Sequence, residues 1–168
     1  GFNNQGANAL VKRLRLTNPK GTRLSPVGIN IGKGANTTID NAIEDYLDAF
    51  SVVASQADYI TINISSPNTS GLRDLHQDEF LHPLLESVRS KNLQWAKENE
   101  CCPVPCLLKI SPDEDFNSLG RIINLAFSND IDGLIATNST TRRRNFINKK
   151  GVERGGLSGR PLQDRSLQ

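Results

Sequence analysis

The sequence lacks a long apolar run and an excess of charge of one sign. No apolar stretch approaches the roughly 20 residues that a membrane-spanning helix needs. The 20 Lys and Arg residues are nearly balanced by 18 Asp and Glu residues, giving a formal net charge of +2. Proteins that bind nucleic acid concentrate basic residues on one face, so we expect no nucleic acid partner. With 36% hydrophobic and 23% charged residues, the composition indicates a single globular domain over residues 1–168, or part of a larger one.

Cysteine and histidine are also scarce, and their spacing predicts no metal site. The three cysteines fall within one short segment, residues 101–106, with no second Cys or His cluster at zinc spacing. We expect reduced thiols there, and we read the segment as a loop. His76 and His82 have no Cys partner or paired carboxylate motif nearby, so we expect both to be surface residues rather than ligands.

Four short runs of apolar and β-branched residues predict four β-strands. A polar turn follows each run, and a stretch with helical periodicity follows each of the first three. Strands that are apolar on both faces and alternate with amphipathic helices indicate parallel β/α units, so the predicted class is α/β. The predicted strands span 27–31, 59–64, 107–110 and 133–136, and the helical stripes span 43–54, 80–88 and 119–127.

Polar residues at the strand ends favour a barrel over a doubly wound sheet. Asn30, Asn63, Lys109 and Asn138 lie at or just beyond the ends of the four predicted strands. A doubly wound sheet binds its ligand mainly at one switch point, whereas a (β/α)8 TIM-type barrel collects residues from many strand ends. A complete barrel takes roughly 250 residues. Since the chain supplies about four units and opens on Gly1, we expect it to be an internal part of a longer barrel.

A glycine-rich segment, residues 28–34, invites comparison with a nucleotide-binding P-loop. The P-loop pattern requires four residues between its first Gly and its Gly-Lys pair, and then a Ser or Thr. Here three residues intervene and a Gly follows. Two interpretations remain: a plain strand-to-helix turn, or a turn that also directs Asn30 toward a ligand.

The segment 63–73 carries two Asn residues, several hydroxyls and a Pro behind an apolar strand. Ordinary turn chemistry explains most of this composition. Asn63, however, lies inside the apolar run, where a buried amide is costly unless its hydrogen bonds are satisfied. A planar ligand with alternating carbonyl and N–H groups, such as a pyrimidine or the edge of a flavin, would satisfy such amides.

Lys109 ends an otherwise apolar strand, and two interpretations apply to it. The side chain can extend its ammonium group to solvent while its stem stays on apolar surface, or it can face the barrel interior beside an anionic cofactor ring. The segment 137–140 repeats the amide and hydroxyl pattern one unit further on. The glycines of 155–159 permit either a close approach to a ligand or a simple turn.

Taken in order, six segments resemble the dihydroorotate dehydrogenase family along the whole chain. In that family the catalytic base is Cys in the soluble class and Ser in the quinone-linked class, and this sequence has Ser66 at the matching position. The chain is therefore similar to the quinone-linked class, an FMN-dependent barrel. The segments are Gly1-Phe-Asn-Asn4, Gly28-Ile-Asn-Ile-Gly-Lys33, residues 63–73, Leu108-Lys-Ile-Ser-Pro-Asp113, residues 132–138 and residues 155–162.

The resemblance implies a role for each matching residue. Ser66 would remove the C5 proton of dihydroorotate while a hydride passes from C6 to the flavin, and Thr69 and Phe2 would frame an ordered water beside the serine. The residues implied to bind the substrate are Gly1, Phe2, Asn63, Asn68, Asn138 and Ser139. The residues implied to bind FMN are Asn30, Asn63, Lys109, Thr137 and Gly159, with Lys109 stabilising the anionic reduced ring.

The resemblance also implies features outside this chain: the FMN phosphate loops, the region that admits quinone, and a parent protein peripheral on the cytoplasmic or mitochondrial inner membrane. We therefore expect the isolated fragment to be inactive. One alternative is a soluble-class or dihydropyrimidine-oxidising relative that uses another electron acceptor, which a Cys at position 66 would have favoured. Another alternative is an inactive half-barrel that serves as a binding module. The presence of Ser66, Asn63, Asn68, Lys109 and Asn138 together argues against it.

Overall fold

The structure, a computed structural model, describes residues 4–66, 75–142 and 155–167. All four predicted strands and all three predicted helical stripes correspond to observed elements, which confirms the α/β class. The strands are β1 (Gly28–Ile31), β2 (Tyr59–Asn63), β3 (Cys106–Lys109) and β4 (Gly133–Ile135), and the helices are α1 (Ala7–Thr17), α2 (Ala42–Val53), α3 (Asp78–Glu98), α4 (Phe116–Ser128) and α5 (Gln163–Leu167).

The strands form one parallel sheet in the sequential order β1-β2-β3-β4. In a doubly wound sheet the strand order reverses at a switch point, and no reversal occurs among these four strands. Helix α2 packs against α3, and α3 packs against α4. Sequential parallel strands with neighbouring helices packed side by side are the arrangement of a (β/α)8 barrel wall.

Alternation along the strands divides the sheet into two unlike faces. The face covered by the helices, called here the helix face, carries Ile60, Ile62 and Leu108, all 0% exposed. Each such buried side chain contributes about 1.5–3 kcal/mol to the free energy of folding. The opposite face, called here the inner face, carries Thr61 and Asn63. The strand register pairs Ile62 with Leu108 and Asn63 with Lys109, so side chains of one character lie side by side across strands.

Helix α1 was not predicted, because its apolar pattern is weak. Val11 is its one buried residue, and most of the remaining positions are polar or half-buried. The helix packs against α2 and adds to the edge of the core. Among the described residues, no helix is both long enough and apolar enough to cross a membrane.

A buried ion pair fixes the segment that leads into β1. The guanidinium group of Arg23 pairs with Asp58 Oδ2 at 2.9 Å and donates to the carbonyls of Asn18 and Gln56 at 2.8 and 2.7 Å. Asp58 Oδ2 also accepts the backbone N–H of Val27 at 2.8 Å. This backbone hydrogen bond, aided by the cation, lowers the pKa of Asp58 from its ordinary value.

Candidate active site

A network of amides and hydroxyls joins the carboxyl ends of β2, β3 and β4. Asn63, the last residue of β2, is 3% exposed. Its Oδ1 accepts the backbone N–H of Ser65 at 3.2 Å and the Nδ2 group of Asn138 at 3.3 Å. The amide oxygen is thus satisfied within the protein. Within the described ranges the Nδ2 group of Asn63 has no hydrogen-bond partner, so its donors remain for a ligand.

Two adjacent serines follow β2, and their surroundings differ. The Ser65 hydroxyl lies 2.8 Å from the Lys109 carbonyl and 3.2 Å from Asn63 Oδ1, both acceptors, and it accepts a hydrogen bond from Asn138 at 3.1 Å. Its single proton is therefore committed to the protein. Ser66 is 7% exposed and lines the cavity on the inner face. The structural role of Ser65 was not predicted, since it depends on contacts between strands.

Asn138 has a fixed orientation in this network. Its Oδ1 accepts the backbone N–H of Ser139 at 2.8 Å, and its own backbone N–H donates to the Ile110 carbonyl at 2.9 Å. The Nδ2 group is consequently turned toward Asn63 and Ser65. A rigid amide at a strand end is a group that can recognise a polar ligand at little entropic cost.

Lys109, the last residue of β3, is half-buried on the inner face, opposite Asn63 in the register. In residues 4–66, 75–142 and 155–167, its ammonium group has no hydrogen-bond or ion-pair partner. A partly desolvated cation is costly without a counter-charge. The position therefore favours an anionic or electron-rich ligand beside Lys109.

An open cavity of about 1210 Å³ is lined by residues 28–31 of β1, by Thr61, Asn63 and Lys109, and also by residues of α1 and α2. Polar side chains from three strands converge on it, which is the site arrangement of barrel folds. Predicted site residues that line the cavity are Asn30, Asn63, Ser66 and Lys109, joined by Lys33 and Thr61.

The ring of Tyr59 lies over Gly28 on the inner face. A Cβ at Gly28 would lie 2.1 Å from Cζ of Tyr59, far inside any tolerated contact. A side chain at position 28 would therefore have to displace the Tyr59 ring. The turn after β1 is fixed separately, since Asp45 Oδ2 accepts the backbone N–H of Gly34 at 2.6 Å.

Thr137 and Gly159 lie beyond the group that lines the cavity. The Thr137 hydroxyl contacts the Ser166 hydroxyl at 3.1 Å, which links the end of β4 to α5. Gly159 is exposed with a φ of 82°, a backbone conformation that favours glycine. Neither residue lines the cavity with Asn63 and Lys109, so the roles predicted for them rest on the family resemblance alone.

Asp113 joins the loops that follow β3 and β4. Its Oδ2 accepts the backbone N–H and the hydroxyl of Thr141, both at 3.0 Å, and its Oδ1 accepts the hydroxyl of Thr140. Thr140 in turn forms an antiparallel bridge with Leu157. These contacts hold the loop after Lys109 beside the loop after Asn138.

Two predictions about His and Cys residues were wrong in part. His76 is 7% exposed and is hydrogen-bonded at both ring nitrogens, whereas we predicted a surface residue; His82 is exposed, as expected. Cys106 is the first residue of β3 and is buried, rather than lying in a loop. Burial raises the pKa of Cys106 to about 12. None of the three cysteines is paired in a disulfide, and Cys101 and Cys102 are exposed.

Four predicted site residues lie outside the described residues: Gly1, Phe2, Asn68 and Thr69. The roles assigned to them stay predictions. In the described part of the chain, no group of three or more His, Cys, Asp or Glu side chains is placed to hold a metal ion.

The sequential parallel sheet and the polar cluster at its carboxyl end define a (β/α)8 barrel of which this chain forms four units. A family model described as dihydroorotate dehydrogenase matches residues 1–168. The chain belongs to the dihydroorotate dehydrogenase family.

Curated relatives and solved structures agree with this assignment. The chain is 45% identical over 168 residues to the dihydroorotate dehydrogenase (quinone) of Idiomarina loihiensis, covering all of this chain and 49% of the relative. It is 40% identical over 176 residues to the enzyme of the same name from Nostoc punctiforme, covering 45% of that protein. The chain thus spans about half the length of the curated relatives it matches.

The fold also matches that of solved structures of the family. A crystal structure of ligand-free DHODH from Eimeria tenella superposes with a TM-score of 0.84 at 33% identity, covering 98% of this chain and 50% of that one. A second structure from Eimeria tenella, in complex with ferulenol, gives a TM-score of 0.86 at 31% identity and covers 48% of that chain. The barrel class predicted from the strand ends is confirmed.

Proposed function

We propose that the complete protein oxidises dihydroorotate to orotate, with FMN as hydride acceptor and a quinone as terminal acceptor, in de novo pyrimidine (UMP) biosynthesis. Residues 1–168 contribute part of a single FMN-binding barrel domain. The observation that carries the proposal is the convergence of Asn63, Ser66, Lys109 and Asn138 at the carboxyl end of the sheet. Relatives named dihydroorotate dehydrogenase (quinone) support the choice of substrate and acceptor.

The residues of the inner face fit an isoalloxazine ring. Asn63 and Lys109 line one open cavity. The half-buried Lys109 ammonium lacks a counter-charge within the described ranges, and the Asn63 Nδ2 group has donors available for ring carbonyls. We assign Asn30, Asn63, Lys109, Thr137 and Gly159 to FMN binding. When bound, FMN supplies a ring that accepts a hydride from the substrate carbon.

The substrate is assigned to the polar network beside Ser66. Dihydroorotate presents alternating carbonyl and N–H groups. For these, Asn63 offers its Nδ2 donors, Asn138 offers the second lone pair of its Oδ1, and Ser139 offers its hydroxyl. Gly1, Phe2 and Asn68 complete this set by the family resemblance. Because the Asn138 amide is already fixed by Ser139, it binds without losing side-chain entropy.

Ser66 is assigned as the base that removes the C5 proton. A serine hydroxyl is a weak base, so it needs a proton route, for which we assign Thr69 and Phe2 and an ordered water between them. The neighbouring Ser65 is unsuited to this role, since its proton is committed to acceptors of the protein.

Because its proposed electron acceptor is a quinone, we place the complete protein at a membrane surface. Quinones dissolve in the bilayer, so we assign the protein a peripheral position on the cytoplasmic or mitochondrial inner membrane, with quinone admitted through a region outside this chain.

The experiment that tests this function uses the complete protein purified with its flavin. Anaerobic dihydroorotate should bleach the oxidised flavin spectrum, orotate should form in equal amount, and addition of a short-chain ubiquinone should restore the spectrum. Fumarate and NAD⁺ serve as controls for the acceptors of soluble relatives. A flavin that dihydroorotate leaves oxidised overturns the proposed activity, and reoxidation by fumarate or NAD⁺ alone overturns the quinone assignment.

A further inference from the structure

His76 and Glu114 form a buried pair beside the backbone that leads to Ser66. Nε2 of His76 lies 2.9 Å from the carbonyl oxygen of Ile64, and Nδ1 lies 2.6 Å from Glu114 Oε1. The side chains are 7% and 19% exposed, respectively. His76 thus connects the end of β2, through its ring, to the loop between β3 and α4.

The chemistry of the two contacts fixes which ring nitrogen carries a proton. A carbonyl oxygen only accepts hydrogen bonds, so Nε2 must donate to Ile64. The short Nδ1–Oε1 contact holds one further proton, whether an imidazolium donates it to a carboxylate or a carboxylic acid donates it to the ring. Glu114 therefore orients the imidazole so that Nε2 is directed at the Ile64 carbonyl, as a carboxylate does for histidines in functional sites.

The loop that carries Glu114 is itself braced. Nε of Arg165 donates to the Pro112 carbonyl at 3.1 Å, and its Nη2 donates to the Glu114 carbonyl. The guanidinium also lies 4.8 Å from the ring centroid of Phe116. His76 is thus held against a fixed support rather than a free side chain.

Two such contacts hold the two residues that precede Ser66. The Ser65 hydroxyl donates to the Lys109 carbonyl at 2.8 Å, and His76 holds the carbonyl of Ile64. A shift of about 1 Å in a reacting group can lower a rate by roughly 100-fold, so these ties matter for a base on a strand end.

We propose that His76, oriented by Glu114, is a positioning residue for Ser66: its hydrogen bond to the Ile64 carbonyl holds the backbone that presents the base. The inference rests on the proposed function for its catalytic consequence, while its structural consequence can be measured independently. It assigns a role to a histidine that does not line the cavity beside Ser66.

Two substitutions in the complete flavin-loaded protein separate the two contacts. In His76→Gln, the Nε2 group of glutamine reaches the position of histidine Nε2 and keeps the bond to Ile64. In His76→Asn, the Nδ2 group takes the position of histidine Nδ1 and keeps the contact with Glu114 but loses the bond to Ile64. Both variants are similar in polarity, so any general loss of stability affects them alike.

We expect His76→Asn to lower the stopped-flow rate constant of flavin reduction by dihydroorotate roughly 10- to 100-fold. His76→Gln should stay within about threefold of wild type, because the bond to Ile64 survives. The Kd for orotate should change by less than about twofold in both, because a positioning residue for the base does not bind the ligand. Amide hydrogen exchange of the peptide covering residues 59–66 should rise in His76→Asn only.

The outcomes are distinct. Equal rate constants and equal exchange in the two variants overturn the positioning role, even where both lower the melting temperature. A wild-type protein that dihydroorotate fails to reduce overturns the proposed function instead, and the exchange measurement then still decides whether His76 holds the β2 end. Should His76→Asn fail to fold, His76→Ser serves in its place, because its side chain is too short to reach Ile64. Faster exchange and a lower rate than in His76→Gln are then expected, and values equal to those of His76→Gln contradict the inference.

Discussion

The helix face and the inner face of the sheet are built from alternate residues of the same strands, yet they have opposite character. In β2, Ile60 and Ile62 are fully buried under the helices, whereas Thr61 and Asn63 face the cavity. A slip of one residue in register would exchange the two sets completely. The same alternation therefore specifies the fold and places the site. Substitutions on the helix face should change stability, and those at the inner edge should change chemistry.

The largest effect expected on the inner side is that of Ser66→Ala. Loss of the base should lower the rate constant of flavin reduction by dihydroorotate about 100- to 10,000-fold, while orotate binding stays nearly intact, because the serine acts in the transition state. Stopped-flow bleaching of the flavin measures this. Ser51→Ala, a change at an exposed serine of α2, is the matched control, and a Ser66→Ala rate near wild type would remove Ser66 from its assigned role.

On the helix face, Leu108→Ala tests the opposite half of the comparison. Leu108 is 0% exposed, so truncation should lower the free energy of unfolding by about 2–5 kcal/mol. Urea denaturation of the complete protein measures the loss, and Leu93→Ala, at a position 46% exposed, should cost less than about 1 kcal/mol. A Leu108→Ala variant with unchanged stability but an altered rate of flavin reduction would contradict the assignment of stability to the helix face and chemistry to the inner face.

Lys109→Ala tests the comparison between the two faces within a single strand, because Lys109 and Leu108 are neighbours in β3 and lie on opposite faces. Removing the cation should weaken FMN binding about 10- to 100-fold and lower the midpoint potential, because the reduced anionic ring loses its counter-charge. Flavin fluorescence titration and potentiometry measure the two quantities. Lys97→Ala, in the exposed last turn of α3, controls for loss of one positive charge. Full FMN occupancy at an unchanged potential would indicate that Lys109 merely extends to solvent.

The smallest expected effect lies at the other end of the strands, where Asp58 pairs with Arg23. Asp58→Asn should lower the free energy of unfolding by about 1–3 kcal/mol. The substitution removes the charge partner of Arg23, whose side chain is only 4% exposed. Since the pKa of Asp58 is lowered on folding, its contribution is present above the ordinary Asp pKa and is lost as the pH falls through the lowered value. Denaturation at several acidic pH values should therefore show a flatter pH dependence for Asp58→Asn. Equal slopes for variant and wild type would contradict this.

The helices and strands that could be predicted from the sequence are those with a clear hydrophobic periodicity. Helices α2 and α4 and the four strands match because an apolar stripe or run is a local property of the chain. Helix α1 was missed because a helix at the edge of the core buries little. Helix α3 extends ten residues past the predicted stripe, to Glu98, since its second half is largely polar.

Part of the site could be predicted as well, because strand ends are positions that a local pattern reveals. Asn63, Lys109 and Asn138 lie at or just beyond the ends of apolar runs, and the strand pairing and the Asn63–Asn138 hydrogen bond bring them together. Ser65 and His76 could not be assigned from the sequence. Their roles depend on partners that are distant along the chain, such as Glu114, which is 38 positions away from His76, and no local period encodes such a contact.

The overlap of Tyr59 with the Cβ position of Gly28 couples two positions that lie 31 residues apart in the chain and opposite each other in the register. A smaller residue at position 59 leaves Gly28 undisturbed, whereas a side chain at position 28 has to displace the ring at position 59. A lineage in which position 28 acquires a side chain therefore does so more readily once the aromatic ring at position 59 has been replaced. The pair should therefore vary together among natural homologues, and the order of its changes along a phylogeny should run from the tyrosine to the glycine.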